Sequence, residues 1–185
     1  CAPIAPYDNV RREVRDMIAP LGGFILVHVA TSLEHATALV AGGYRKLKVK
    51  IDPTQVDAVP HEFSHRFPNE GPDGIELHVD ANGSLGEEHL MALLGLTWHG
   101  VSVIEQPFPI DRPDLAAELM LGTDAVIVAD EAVSGIRDAE ALLERSAVRA
   151  IAIKPPRCGG IGPARRLLEW CAAHGVGASI GGMLE

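Results

Sequence analysis

The sequence predicts a parallel α/β fold and, of the two ways such a fold can be organised, a (β/α)8 barrel of the TIM type rather than a doubly wound open sheet. Three observations carry this expectation. Short apolar β-rich runs alternate with helical patterns from residue 24 onward, which implies a parallel sheet with right-handed crossovers. The G-x-G-x-x-G turn that announces a dinucleotide-binding sheet is absent after any early strand. Five successive β-runs end on a charged residue, Lys50, Asp80, Glu105, Asp130 and Lys154, the last four 25, 25 and 24 residues apart; in a parallel barrel all strand C-termini converge on one mouth.

The elements follow in order. "FILVHVA" is the first strand, and "TSLE" reads as a capping box opening a helix from Ser32 to Val40, with Gly42 and Gly43 as its stop. "KLKVKI" follows, then a weaker helical stretch, then "GIELHVD". "SLGE" is a second capping box before a helix from Glu87 to about Leu96. "VSVIEQ" and a helix from Pro113 to Leu121, "AVIVAD" and a helix from Arg137 to Arg145, and "VRAIAIK" and a helix from Pro163 to Ala173 lead to "GVGASIGG". Seven β-runs leave an eight-unit barrel incomplete, with the last unit missing. "RCGGIGPARR" is glycine-rich but follows the sixth β-run and lacks the Lys-Ser/Thr of a phosphate loop, so Gly159 and Gly160 are read as a tight strand-to-helix turn.

Composition narrows the partners. A chain of 185 residues that is 47% hydrophobic and 22% charged can build one sizeable core. Its net charge of −9 offers no basic patch for a nucleic acid, and no apolar run approaches the ~20 residues that span a bilayer. Cys1, Cys158 and Cys171 are odd in number and far apart, which suits a reducing cytoplasm rather than a disulfide framework. The N-terminus lacks a basic region followed by an apolar one, so no export signal is read.

The strand ends carry the chemistry. Asp80, Glu105 and Asp130 on neighbouring strands would repel one another unless a cation neutralised them. Oxygen-only ligation suits a hard octahedral ion, Mg2+ first and Mn2+ second. Lys50 and Lys154 flank that cluster. A lysine acting as a base must shed its proton near neutral pH, and Lys48, one pleat below Lys50 on the same face, supplies a repelling ammonium. Such a set fits removal of a proton α to a carboxylate, with the metal holding the developing enediolate. The third lysine of the stretch, Lys46, is left to reach solvent at the barrel's lower end.

"KVKID", "VDANG", "VIEQPF", "VADEAVSG", "IKPPRCGGI" and "GGMLE" resemble, in that order, the strand-end motifs of the enolase superfamily, muconate-lactonising subgroup. They are most similar to the branch of o-succinylbenzoate synthases and N-succinylamino-acid (N-acylamino-acid) racemases. The resemblance covers residues 43 to 185. It implies that Lys50 is a general acid/base, Lys48 its electrostatic partner, and Lys154 the acid/base or cationic group on the opposite face. Asp80, Glu105 and Asp130 become Mg2+ ligands, Asn82 and Glu131 orient a ligand or a lysine, and Gly182 and Met183 approach the substrate, with Glu185 at the mouth. The implied activity is a Mg-dependent lyase that forms o-succinylbenzoate by syn-dehydration, or a racemase or dipeptide epimerase using the same two lysines. A small carboxylate substrate, a cytoplasmic homo-oligomer and no nucleic-acid or membrane partner go with it. Residues 1–22 resemble a fragment of the family's capping domain around Pro6 and Tyr7, and 23–185 the barrel domain.

Other classes remain open at this point. A catalytically silent barrel could bind an acidic metabolite, and a Schiff-base aldolase could use Lys154 but leaves the three carboxylates unexplained. "HEFSH", residues 61 to 65, spells a zinc-protease word but falls on the outer helical layer without a third ligand. Trp98 and Trp170 read as helix-to-barrel packing, and His28 and His78 as histidines with satisfied hydrogen bonds.

Overall fold

The computed structural model describes residues 28–30, 32–67 and 74–182. The cap fragment 1–22, residues 24–27 of the first β-run, Met183 and Glu185 lie outside the described residues. Seven parallel strands form one sheet in sequence order, each hydrogen-bonded to its neighbours in the chain. They are β1 (His28–Ala30), β2 (Lys46–Lys50), β3 (Glu76–Asp80), β4 (Val101–Glu105), β5 (Val126–Ala129), β6 (Ala150–Ile153) and β7 (Gly177–Ile180). The helices between them are α1 (Leu33–Ala41), α2 (Ala58–Arg66), α3 (Leu90–Gly95), α4 (Pro113–Gly122), α5 (Ile136–Glu144) and α6 (Ile161–Ala173). Sequential order without a reversal is barrel winding, not the doubly wound alternative.

Local physics places the elements with small shifts from expectation. Ser32, not Thr31, caps α1, its hydroxyl accepting from His35 N at 3.1 Å. The "SLGE" box does not form; Gly86 N donates to His89 Nδ1 at 3.1 Å, and the expected helix divides into a 3-10 turn Glu87–His89, α3, and a second 3-10 turn Leu96–His99. Trp98 therefore departs from the packing role. It stands two residues beyond fully buried Leu96, on the opposite side of the turn, and is 89% exposed. Trp170 is half-buried and stacks on His174, ring centroids 4.2 Å apart. Lys46 does reach solvent, its side chain 37% exposed, and it also pairs with Glu76, which in turn meets His78 Nε2 at 2.8 Å.

The core lies between the sheet and the helices. Leu47, Val79, Ile104 and Ile127 pack with Phe63, Leu93 and Phe108 under one half, and Ile151 and Ile153 with Leu167 and Cys171 under the other. Truncating any one of the large members costs about 2–5 kcal/mol. On β2 this burial takes Leu47 and Val49 and leaves the lysines on the other face, the face that lines a barrel's interior.

Register positions the site. Lys50 stands opposite Asp80 and Asp80 opposite Glu105, but Glu105 pairs with Val128, so Asp130 lies two residues further along. Val128 pairs with Ala150, which sets Lys154 two residues beyond the level of Asp130. The five charged residues thus form a staircase rather than a level ring. It climbs four residues over four strand steps, the one-per-strand stagger of a barrel with a shear of about eight. A bulge in β4 at Ser102 makes the first level stretch possible: Leu77 pairs with Val101 and His78 with Val103. Without the extra residue, Ile104 and not Glu105 would be level with Asp80.

Candidate active site

Three carboxylates end adjacent strands at the mouth, and all are buried: Asp80 is 2%, Glu105 8% and Asp130 4% exposed. Each is held by cations from its own side. Lys48 Nζ lies 2.9 Å from Glu105 Oε1 and 3.1 Å from Asp80 Oδ2. Arg157 Nη1 donates to both the carbonyl and Oδ1 of Asp130 at 2.6 Å, and Lys154 Nζ stands 3.5 Å from Asp130 Oδ2. Among the described residues no three His, Cys, Asp or Glu side chains are gathered at metal-coordinating positions.

The electrostatics follow from crowding. Burial pushes the Glu105 carboxyl above the usual carboxylate range; Lys48 opposes this, while Asp80 and Asp130 add to it. Burial works against charge on Lys48 as well, but the Glu105 and Asp80 carboxylates outweigh it and hold the ammonium above its ordinary value. The direction for Glu105 is that of a buried acid whose neighbours leave it short of positive charge. An oxygen-only donor set on three adjacent strands, with one member in that condition, fits a hard divalent cation.

A hydrogen-bonded chain runs beside the carboxylates. Lys50 Nζ donates to Asn82 Oδ1 at 2.8 Å, and Asn82 Nδ2 donates to Glu131 Oε1 at 3.0 Å. Asn82 N donates to Asp80 Oδ1 at 3.1 Å. Glu131 Oε2 is buried without a hydrogen-bond partner among the described residues. Asn82 sits in the left-handed region at φ 46° and Gln106 at φ 38°, a conformation that costs non-glycine residues about 1–2 kcal/mol. Both positions lie at the mouth, where strain is tolerated if the surroundings enforce it.

Sequence reasoning singled out neither Gln106 nor Arg157. Gln106 is 6% exposed; its Oε1 accepts from the amides of Asp130 and Ala132 at 3.0 and 3.1 Å, and its Nε2 donates to Phe108 O at 2.9 Å. It therefore fastens the loop carrying Asp130 and Glu131 to the end of β4. The signal was the amide directly after Glu105. For Arg157 it was the cation three residues after Lys154 on a Pro-Pro turn. Gly182 is at the mouth, its carbonyl accepting from Lys154 Nζ at 3.3 Å. Gly159 and Gly160 take φ of 86° and 113° at the turn into α6, and His78 has the satisfied hydrogen bond expected of it.

On the outer layer, His61 and His65 are exposed on α2, their Nε2 atoms 3.2 Å apart. They take no part in the mouth.

Comparison with known proteins gives a consistent set of relatives. The family described as "Enolase C-terminal domain-like" matches residues 31–185. The chain is 35% identical over 157 residues to an o-succinylbenzoate synthase of Geobacillus stearothermophilus, covering 85% of this chain and 40% of that protein. It is 33% identical over 181 residues to an N-succinylamino acid racemase of Amycolatopsis sp, covering 94% and 46%. A solved structure of a probable mandelate racemase from Alicyclobacillus acidocaldarius superposes with a TM-score of 0.76 at 28% identity, covering 91% of this chain and 45% of that one. The chain therefore spans less than half the length of these relatives.

Proposed function

Because the chain belongs to the enolase C-terminal domain-like family, we propose that it is the barrel part of a metal-dependent o-succinylbenzoate synthase, a carbon–oxygen lyase acting on 2-succinyl-6-hydroxy-2,4-cyclohexadiene-1-carboxylate. The observation that carries this reading is the order of the strand ends: Lys50 on β2 and Lys154 after β6 bracket three buried carboxylates on the strands between.

In this reading Lys50 removes the proton α to the ring carboxylate and returns it to the departing hydroxyl on the same face, so one group serves as base and then acid. Asn82 holds the Lys50 amine from one side, and Glu131 holds Asn82. Lys154 keeps a positive charge beside the opposite face of the substrate, steadied by Asp130 and the Gly182 carbonyl. Asp80, Glu105 and Asp130 are the residues that would hold Mg2+, or Mn2+ as second choice. A bound divalent ion supplies positive charge to the substrate carboxylate as the enediolate develops. Arg157 holds the Asp130 carboxylate, and Gln106 its backbone amide, at the end of β5.

A second reading is racemisation of an N-succinylamino acid, favoured by the flanking placement of the two lysines and by the likeness to the Amycolatopsis racemase. Two bases on opposite faces can exchange one α-proton in either direction. Both readings give a small carboxylate substrate, and we extend them to a cytoplasmic homo-oligomer in which residues 23–185 are the barrel domain and 1–22 part of a cap. Among the described residues no helix is long and apolar enough to cross a membrane. The test is to supply the protein and Mg2+ with each substrate. Formation of the aromatic product, followed by ultraviolet absorbance, supports the synthase. Loss of optical rotation from an N-succinylamino acid without dehydration of the diene supports the racemase. Neither change with either substrate rejects both.

A further inference from the structure

On the outer layer, away from the mouth, two histidines of α2 stand side by side. Asp57, His61 and His65 are spaced i, i+4, i+8 from the N-cap along α2, so they share one face. Phe63, between the two histidines, is buried on the other face and fixes which way they look. The His61 and His65 Nε2 atoms are 3.2 Å apart. Two imidazole nitrogens bound to one tetrahedral metal at the usual Zn–N length are separated by about 3.3 Å, so the pair already has the bite of a chelate. A third imidazole comes from a different element: the His99 ring, at the end of the 3-10 turn after α3, meets His61 edge-on with centroids 5.2 Å apart. Asp57, His61 and His99, but not His65, line a cleft of about 490 Å³ whose wall also includes Met91 and Trp98.

The geometry points to a second, non-catalytic metal site on the outer face of the barrel, in which His61 and His65 chelate a transition-metal ion of the Zn2+, Ni2+ or Cu2+ class, with water completing the shell and the His99 ring beside it. Imidazole donors choose such ions over Mg2+, while the all-oxygen mouth has the opposite preference, so the two sites sort metals by ligand chemistry. The site is not a protease centre: Glu62 is exposed on the outer layer, and no assembled three-ligand set surrounds a reacting water among the described residues.

Trp98, exposed beside His99, supplies the readout. Untagged protein carrying Trp170→Phe, in excess Mg2+, is titrated with Ni2+ while Trp98 fluorescence is followed, and Zn2+ is then added as a competitor. The expected result is saturable quenching that Zn2+ reverses and that His61→Ala or His65→Ala each weakens by at least about tenfold. His99→Ala weakens it less, and Asp80→Asn at the mouth leaves it unchanged. Both helix histidines are exposed and alanine favours helix, so circular dichroism should report folded variants; His65→Gln, which keeps the side chain's polarity, is measured alongside and must weaken binding too. Quenching that persists in the His61→Ala/His65→Ala double variant, or that disappears in Asp80→Asn, overturns the site.

Discussion

The two flanks of the mouth hold the same kind of side chain by different chemistry. Lys50, exposed at the end of β2, donates to the neutral amide oxygen of Asn82, whereas Lys154, only 14% exposed, lies against the Asp130 carboxylate and the Gly182 carbonyl. On the first flank the charge of the neighbouring carboxylates is met by Lys48, which bridges Asp80 and Glu105. On the second, Arg157 and Lys154 share one carboxylate. The first arrangement leaves its lysine tethered but unspent, as a group that must give and take a proton requires. The second builds a fixed cationic wall, as a group that stabilises charge requires. The asymmetry suits a one-base dehydration and leaves two-base racemisation dependent on how far Lys154 can move from Asp130.

The largest expected effect comes from removing charge between the flanks. Glu105→Gln keeps the shape of the side chain but takes one oxyanion from the carboxylate set, and activity with Mg2+ is expected to fall by at least about a hundredfold. The midpoint of urea unfolding moves little, because Lys48 keeps Asp80 as a partner; a collapse of stability with activity retained would reverse the assigned role. Next is Arg157→Ala, which frees Asp130 on one side only. A loss of about 10–100-fold in activity or Mg2+ affinity is expected, measured by Mg2+ titration of the rate, and an unchanged Mg2+ requirement would show that Asp130 does not need its second cation.

Gly181→Ala sharpens the comparison further. A Cβ there would stand 3.0 Å from Lys154 Nζ, so the far end of that flexible side chain must shift while Lys50 is untouched. Activity that depends on Lys154 should drop a few-fold with no change in the thermal midpoint. The smallest effect belongs to the loop after Asp130. Asp138 in the first turn of α5 accepts from the Ser134 hydroxyl at 2.6 Å and its amide at 2.8 Å, and these bonds, the hydroxyl first, hold its carboxyl below the usual range. Because the folded value is depressed, this stabilisation is present above the unfolded value of 3.8 and is lost as pH falls through the folded one. Asp138→Asn should cost about 1 kcal/mol at neutral pH and flatten the stability profile below pH 4, which acid titration of the unfolding midpoint measures.

Much of this was legible in the chain itself. The even spacing of Asp80, Glu105, Asp130 and Lys154 reported the length of one strand-helix unit, and alternation in "KLKVKI" fixed which face of β2 carries lysines, because strand geometry has period two. The staircase was not legible. Stagger arises from how strands tilt against one another, and the Ser102 bulge that levels Glu105 with Asp80 leaves no mark in a run that reads simply as "VSVIEQ". Gln106 and Arg157 escaped for a related reason. Each acts through the backbone or carboxylate of a residue on another strand, and such partners become neighbours only when the sheet forms. Trp98 misled because hydrophobicity indicates burial only while helical phase holds, and the phase changes at the 3-10 turn after Leu96.

The central claim is that Lys50 moves the proton while Lys154 holds positive charge on the opposite face. It is tested most directly by deuterium exchange at the α-carbon in D2O with Mg2+, using each enantiomer of an N-succinylamino acid, on Lys50→Ala and Lys154→Ala variants. The account predicts that Lys50→Ala abolishes dehydration of the diene and cuts α-exchange by about 10²–10⁴-fold with at least one enantiomer, whereas Lys154→Ala keeps exchange on the Lys50 face. Undiminished exchange of both enantiomers by Lys50→Ala would contradict it.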